Sequence, residues 1–91
     1  MTEKALQATV VKFAQQRGWL VYHTYDSRRS APGFPDLCLV RGPSLMFVEL
    51  KSEKGRLKKE QGEWRDALEL AGQAWHLWRP ADLDEAFSIL G

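Results

Sequence analysis

Three side chains near the middle of the chain have the types and spacing of a metal-dependent hydrolytic site. Asp36 follows Gly33-Phe-Pro, and Glu49-Leu-Lys51 begins thirteen residues after that aspartate. Carboxylates are the ligands that Mg²⁺ or Mn²⁺ prefers, and the backbone carbonyl of Leu50 offers another oxygen. The ammonium of Lys51 is suited to orient a water molecule or to stabilise developing negative charge. Because a divalent cation activates water and clamps a phosphate, these residues predict hydrolysis of phosphodiester bonds.

Strand periodicity places two of these charges on one face. In the predicted strand 45–51, Glu49 and Lys51 share the face that begins with Leu45 and Phe47. We expect both faces of this strand to be buried, and buried charges cost several kcal/mol each unless they are paired or bind a metal. The strand therefore predicts a compensated ionic site, for which an ion pair between the two charges alone is the simpler alternative.

The register of a hairpin decides whether Asp36 joins this face. The apolar run that begins at Asp36 predicts another strand, and Gly42-Pro43 predicts a tight turn. With a two-residue loop, Arg41 pairs with Ser44, and the same register places Asp36 opposite Glu49, with Cβ atoms about 5 Å apart. A loop with an odd number of residues would turn Asp36 to the other face, so the prediction can fail.

Length and composition favour one small globular domain. The chain has 91 residues, of which 44% are hydrophobic, and a net charge of +1. Its single cysteine, Cys38, excludes an internal disulfide and is expected to be a small core residue. Zinc is disfavoured because His23 and His76 lack ligand spacing, and we expect both to be ordinary strand residues. We find no signal peptide or membrane-spanning run, and expect a cytoplasmic protein.

Basic residues flank the acidic pair on both sides. For any isolated basic run, a solvated turn and helix start is the simpler explanation, but the position of these residues favours contacts with a phosphate backbone. The candidate DNA-binding residues are Arg28, Arg29, Lys54, Arg56, Lys58 and Lys59.

The helices and strands follow from apolar spacing and turn-forming residues. Thr2 is a candidate cap for a helix that reaches Gly18, Gly72 ends a second helix, and Asp82 with Glu85 resembles a capping box for a third. The predicted elements are a helix over 2–18, strands over 19–25, 36–41 and 45–51, a helix over 57–71, a strand over 73–78 and a helix from 82. The order α-β-β-β-α-β-α predicts a single α/β domain over residues 1–91 with a mixed four-stranded sheet.

Three segments carry a resemblance to a known family. They are Gly33-Phe-Pro-Asp36-Leu, Phe47-Val-Glu-Leu-Lys51 and Gly55-Arg-Leu-Lys-Lys-Glu-Gln61-Gly-Glu-Trp64. Together they resemble the VRR-NUC domain of the PD-(D/E)xK nuclease superfamily, in its small stand-alone form of phage or bacterial type. The resemblance covers nearly the whole chain and implies a restriction-endonuclease-like core with Mg²⁺- or Mn²⁺-dependent cleavage of DNA.

The resemblance also assigns roles by position. It implies that Asp36 and Glu49 are metal ligands and that Lys51 is the catalytic lysine. Gln61 would be a motif glutamine near the site. Related nucleases place a glutamate on the first helix, where Glu3 and Gln7 compete for the position and Gln7 is the better aligned. In that alignment an amide replaces the acidic ligand.

Small members of this family resemble Holliday-junction resolvases, which act as homodimers on branched DNA in repair. One chain with one site cuts one strand, so paired nicks require two chains. Tyr22, Tyr25 and the tryptophans are expected in the core or in dimer contacts rather than as platforms for bases. Two alternatives remain: a DNA-binding or assembly module with a vestigial site, and a nuclease that needs partner domains and prefers flaps or single strands.

Overall fold

The computed structural model describes residues 1–25 and 29–91, so Arg28 lies outside the described residues. Three helices and four strands follow the predicted order. They are α1 (Glu3–Gln16), β1 (Leu20–His23), β2 (Leu37–Arg41), β3 (Ser44–Leu50), α2 (Lys59–Leu70), β4 (Ala74–Trp78) and α3 (Leu83–Leu90), with a short 3-10 turn at Pro80–Asp82 before α3. In the described part of the chain, no helix is long and apolar enough to cross a membrane.

The sheet is mixed, as predicted, with strand order β1-β2-β3-β4. The first three strands are antiparallel, and β4 runs parallel to β3 after the crossover through α2. Arg41 pairs with Ser44 across the Gly42-Pro43 turn, which confirms the two-residue loop. The register continues to Leu37 opposite Val48, so the next pair along is Asp36 with Glu49.

The hydrophobic core lies on one face of the sheet, beneath α1 and α3. It includes Leu6 and Val10 of α1, Leu39 and Val48 of the sheet, and Leu90 of α3, all fully buried. Thr2 caps α1 as predicted, because its hydroxyl accepts a hydrogen bond from the Ala5 N–H at 3.0 Å. The first helix begins close to the end of β3, since Glu3 and Gln7 line a pocket together with Leu50.

Helix α2 packs on the opposite face, against β4, and reaches β3 through the hydrogen bond from Gln61 to Glu49. The other side of this face is open, and we call it the open face. It consists of Leu20, Tyr22, Cys38, Val40 and Leu45, which range from half-buried to exposed.

This partial cover corrects two sequence predictions. Leu45 is exposed, Phe47 is half-buried and Cys38 is half-buried, so the first half of this face is not core. Tyr22 and Tyr25 are exposed, so they are not core residues and their role in dimer contacts stays a prediction, whereas Trp19 and Trp78 are buried in the core. Each misplaced residue lies on or beside strands β1 to β3, beyond the reach of α2.

The capping box expected from Asp82 and Glu85 is wrong. The Asp82 carboxylate accepts a hydrogen bond from the Arg79 N–H at 2.8 Å instead, and it makes no cap to α3. In the 3-10 turn at Pro80–Asp82, Asp82 is the third residue and lies beside the N–H of Arg79, which precedes the turn.

Gly33 lies where the loop before β2 packs against the start of α2. Its φ of +85° lies in the left-handed region, and a Cβ at this position would overlap the Glu60 carbonyl and lie 2.7 Å from the Gln61 nitrogen. Beside it, the Trp64 indole N–H donates to the Pro32 carbonyl at 3.0 Å. A glycine is therefore required for this loop to touch the backbone of α2.

We expect Gly33→Ala to lower the free energy of unfolding by about 3 kcal/mol or more, because it adds a backbone clash to the cost of a left-handed alanine. Gly72→Ala is the matched control, since Gly72 has a φ of +82° and open space around it. Its cost should be about 1 kcal/mol. Urea denaturation of the two variants measures the difference, and equal losses would contradict a packing role for Gly33.

Candidate active site

The predicted acidic pair and its lysine come together where β2 begins and β3 ends. Asp36 precedes β2 and is half-buried, and its Oδ2 accepts a hydrogen bond from the Leu50 N–H at 2.8 Å. Glu49 is 2% exposed and Lys51 is 7% exposed. The Lys51 Nζ lies 4.0 Å from Glu49 Oε2. Strand parity and hairpin register therefore place all three groups in one cluster.

Gln61 at the start of α2 orients the Glu49 carboxylate. Its Oε1 accepts from the Lys58 N–H at 2.8 Å, which caps the helix, and its Nε2 donates to Glu49 Oε2 at 3.1 Å. The first bond fixes which end of the amide faces Glu49, since only the NH₂ group remains to donate. The side-chain amide of Gln61 thus has two partners.

The other oxygen of Glu49 lacks a donor. Oε1 is buried and has no hydrogen-bond partner among the described residues. Asp36 is within hydrogen-bonding reach of this carboxylate, but two ionised carboxylates are both acceptors, so a bond between them forms only when one is protonated. Burial raises the pKa of Glu49 to about 9, helped by the bond to Asp36 and its charge and opposed by Lys51.

A divalent cation fits this arrangement. It would supply the positive charge that two adjacent carboxylates lack and a partner for the unpaired Glu49 oxygen, and the donor set of carboxylate oxygens suits Mg²⁺ or Mn²⁺ rather than zinc. Within residues 1–25 and 29–91, no group of three or more His, Cys, Asp or Glu side chains converges as a ready metal cage. Backbone carbonyls and water would have to complete the coordination shell.

Both helix-1 candidates face the same cleft. Glu3 and Gln7 line a pocket of about 310 Å³ together with Asp36 and Leu50. Glu3 is exposed but close enough for its charge to contribute to the raised pKa of Glu49, whereas Gln7 is half-buried. The structure thus brings both side chains to the site, and the choice of Gln7 over Glu3 stays a prediction.

Arg79 organises the loop between Lys51 and α2, and sequence reasoning missed it. Its Nη1 donates to the carbonyls of Ser52 at 2.7 Å and Gly55 at 2.6 Å, with a longer contact of 3.4 Å to Glu53. One guanidinium therefore holds the loop that follows the lysine. No motif pointed to this arginine, because its partners are backbone carbonyls, which any sequence supplies.

The basic residues lie around this loop and the start of α2. Those that the structure describes are all exposed: Arg29, Lys54, Arg56, Lys58 and Lys59. Lys58 also lines a second and larger pocket, which shares Asp36 and Gln61 with the acidic site. Their contact with DNA stays a prediction.

We expect Glu49→Gln to remove a pH dependence from stability in the presence of a chelator. Since the pKa of Glu49 is raised from 4.5 to about 9, the folded protein keeps a proton that the unfolded chain loses between these values. This retained proton stabilises the folded state fully below the lower pKa, and the stabilisation disappears as the pH rises through the upper pKa. When the pH is raised from about 5 to about 8.5, the free energy of unfolding of the variant should therefore increase by at least about 1 kcal/mol relative to that of wild type.

Urea denaturation of both proteins in EDTA at the two pH values measures this gain. All other titrating groups are shared by the two proteins, so they cancel in the difference to first order. A constant difference in free energy across the pH range would contradict the protonation of Glu49 in the folded state.

Comparisons with known proteins identify the family and the fold. The model of the VRR-NUC domain family matches residues 2–76. A solved structure of a VRR_NUC domain protein superimposes with a TM-score of 0.74 at 18% identity, covering 100% of this chain and 91% of its own. Another, of a VRR_NUC domain, gives a TM-score of 0.66 at 23% identity over 97% of both chains. No curated protein matches the sequence.

The two structural likenesses establish the fold, and the family model extends over most of the chain, from the cap of α1 into β4. The matched range includes both carboxylates, the lysine and the glutamine of the cluster. The chain therefore belongs to the VRR-NUC family of nuclease domains.

Proposed function

We propose that this nuclease domain is a metal-dependent DNA endonuclease that acts on branched DNA, with the four-way junction as its leading substrate and a role in DNA repair. Mg²⁺ or Mn²⁺ is the proposed cofactor. The observation that carries the proposal is the buried Glu49 next to half-buried Asp36, with one Glu49 oxygen unpaired and Lys51 beside it. A merely structural site would be expected to satisfy that oxygen.

Each residue of the cluster has a separate task in this proposal. Asp36 and Glu49 would hold the cation, with the Leu50 carbonyl as a further oxygen ligand. When bound, the cation supplies Lewis-acid polarisation of the phosphoryl oxygens and acidifies water. The Lys51 ammonium, buried beside the carboxylates, orients the attacking water or stabilises charge on the phosphoryl group as the P–O bond breaks. Gln61 keeps Glu49 in the orientation that exposes its second oxygen to the cation.

Binding to DNA would come from the exposed basic residues. Lys54, Arg56, Lys58 and Lys59 lie on the loop held by Arg79 and on the first turn of α2, beside the acidic cluster. Such contacts are made to the phosphate backbone and do not depend on the base sequence, which suits recognition of DNA shape. Arg29, which precedes Ser30 of the larger pocket in the chain, is a further candidate for contact with DNA.

A homodimer is part of the proposal, because symmetric nicks in a junction need two sites. The open face supports it. Leu20 is 76% exposed and Tyr22 is 62% exposed, on the edge strand of the sheet and without a covering helix. A second copy packed through the same face would form a two-fold interface, for which a stable complex buries about 800 Å² on each partner.

Cleavage of a panel of DNA substrates tests the activity. Labelled four-way junction, flap, linear duplex and single-stranded DNA are incubated with wild type in Mg²⁺, Mn²⁺ or EDTA. We expect cutting of the junction with either metal and none in EDTA. Asp36→Asn keeps the size of the side chain but removes its charge, and should reduce the rate by at least about 10³-fold, as the loss of a group essential to the transition state does.

Three outcomes discriminate between the alternatives. Failure to cut any substrate with metal, while binding persists, would favour a DNA-binding module with this fold. Cutting of flaps but not junctions would keep the endonuclease and discard junction resolution. Undiminished cutting by the Asp36→Asn variant would show that the acidic pair is not the active site.

Gln61→Glu separates the two tasks of Gln61. A carboxylate at this position still accepts the Lys58 N–H and caps α2, but it cannot donate to ionised Glu49 and adds a like charge beside it. We expect the thermal stability in EDTA to stay within a few degrees of wild type and the cleavage rate at saturating Mg²⁺ to fall by about 10- to 100-fold. Circular dichroism and cleavage kinetics measure the two effects. A folded variant that cleaves at the wild-type rate would contradict the proposed orientation of Glu49.

Leu20→Asp should convert the proposed dimer to a monomer, since it places a charge at the most exposed apolar position of the open face. Leu70→Asp is the matched control, because Leu70 is also highly exposed but lies at the end of α2. Sedimentation equilibrium measures the mass of each. A wild-type monomer would refute the dimer, and dissociation caused equally by both variants would refute the assignment of the open face.

A further inference from the structure

A pocket of about 510 Å³ opens beside the acidic cluster on the side away from α1. Its walls are the end of β1 with Tyr25, the loop around Pro32 and Phe34, and the first turn of α2 with Lys58. Asp36 and Gln61 also line it, so the pocket is continuous with the candidate active site. A ligand in this pocket would lie next to the phosphate being cut.

The pocket combines a supported aromatic ring with a fixed apolar wall. Tyr25 is 84% exposed, and its ring lies against that of His23 with 3.8 Å between centroids. On the other side, Phe34 is held by edge contacts with Trp64 at 5.0 Å and Phe47 at 6.0 Å. An exposed tyrosine that rests on a second ring offers a surface on which a flat heterocycle stacks at little entropic cost.

The polar groups of this pocket suit the rest of a nucleotide. Lys58 is an exposed cation at one wall, and Glu60 places an acceptor on the same turn of α2. The ammonium can pair with a phosphate, and the carboxylate can accept hydrogen bonds from the N–H groups of a base edge. The volume is within the range of about 300–1,000 Å³ for small-ligand pockets, large enough for one base with its sugar.

We propose that this pocket binds one unpaired nucleotide adjacent to the scissile phosphate, with the base stacked on Tyr25 and a phosphate beside Lys58. This extends the proposed function by assigning the feature of the substrate that the site selects. A base within a continuous duplex is stacked and paired, so it cannot enter without being extruded at a cost of a few kcal/mol. Junction centres, flap bases and single strands already contain such bases, which gives the enzyme a preference for them over linear duplex.

Equilibrium binding in EDTA tests the pocket without cleavage. A short fluorescein-labelled oligonucleotide is titrated by anisotropy as single strand and as duplex, and the ratio of the two Kd values is compared between proteins. Tyr25→Ala should weaken single-strand binding by about 5- to 150-fold, the value of one base stacked on an aromatic ring, and leave duplex binding unchanged. Tyr25→Phe should keep the wild-type ratio, because stacking needs the ring and not the hydroxyl.

Tyr22→Ala is the matched control, since Tyr22 is an exposed tyrosine on β1 that does not line the pocket. If it alters the oligomeric state, both Kd values change and their ratio does not. A second readout uses 2-aminopurine in the single strand, whose fluorescence should be quenched on binding to wild type and not to Tyr25→Ala.

The proposal is overturned if Tyr25→Ala leaves the ratio unchanged, or if Tyr22→Ala lowers single-strand affinity as selectively as Tyr25→Ala. The result is independent of the proposed enzyme activity. A selective loss in Tyr25→Ala together with no cleavage by wild type would preserve the nucleotide pocket and refute the endonuclease. Cleavage that depends on Asp36, together with an unchanged binding ratio in Tyr25→Ala, would preserve the endonuclease and refute the nucleotide pocket.

Discussion

The structure depends on holding two carboxylates next to each other at the end of a buried strand. Removing Asp36 and Glu49 from water costs several kcal/mol, and their mutual repulsion adds to that cost. The chain offsets part of it with hydrogen bonds from Leu50 and Gln61 and with the charge of Lys51. One oxygen of Glu49 is still left without a partner. Apolar residues would give a more stable sheet here, so these groups lower the stability of the fold.

The donors that surround the acidic pair come from separate elements, and each element is held by backbone contacts of its own. Gln61 is positioned by the cap of α2, and the start of α2 lies against Gly33, which has no side chain to keep them apart. The loop after Lys51 is held by Arg79 through two short hydrogen bonds. Because these anchors involve backbone atoms, they hold the site geometry while the surface side chains of the same loops remain exposed.

The sequence was sufficient where a single periodic rule decides the outcome. The two-residue turn at Gly42-Pro43 sets the register, and the register with strand parity brings Asp36, Glu49 and Lys51 together. The order of the elements was also predictable from apolar spacing, apart from the 3-10 turn that takes Asp82 away from α3.

The sequence was insufficient where the outcome depends on which elements meet in space. The clash that requires Gly33 involves α2, which begins more than twenty residues later, and the partners of Arg79 are carbonyls without a sequence signal. The same limit applies to the open face. The alternating pattern shows that Leu45 lies on an apolar face of its strand. It cannot show that α2 is placed too far toward β4 to cover Leu45.

This incomplete cover also determines how the site is reached. Glu49 is almost fully buried, whereas Asp36 is half-buried and lines both neighbouring pockets, the one toward α1 and the one toward α2. Access to the acidic pair is therefore from the side of Asp36. A helix that covered the whole face would close the larger pocket and leave the carboxylates buried without access. A face with no helix would lose Gln61 and expose Glu49 to water, which would weaken every electrostatic interaction that the cluster makes. The position of α2 at one side of the sheet satisfies both requirements, because it buries the charge on Glu49 and leaves a surface along which a polymer can approach Asp36.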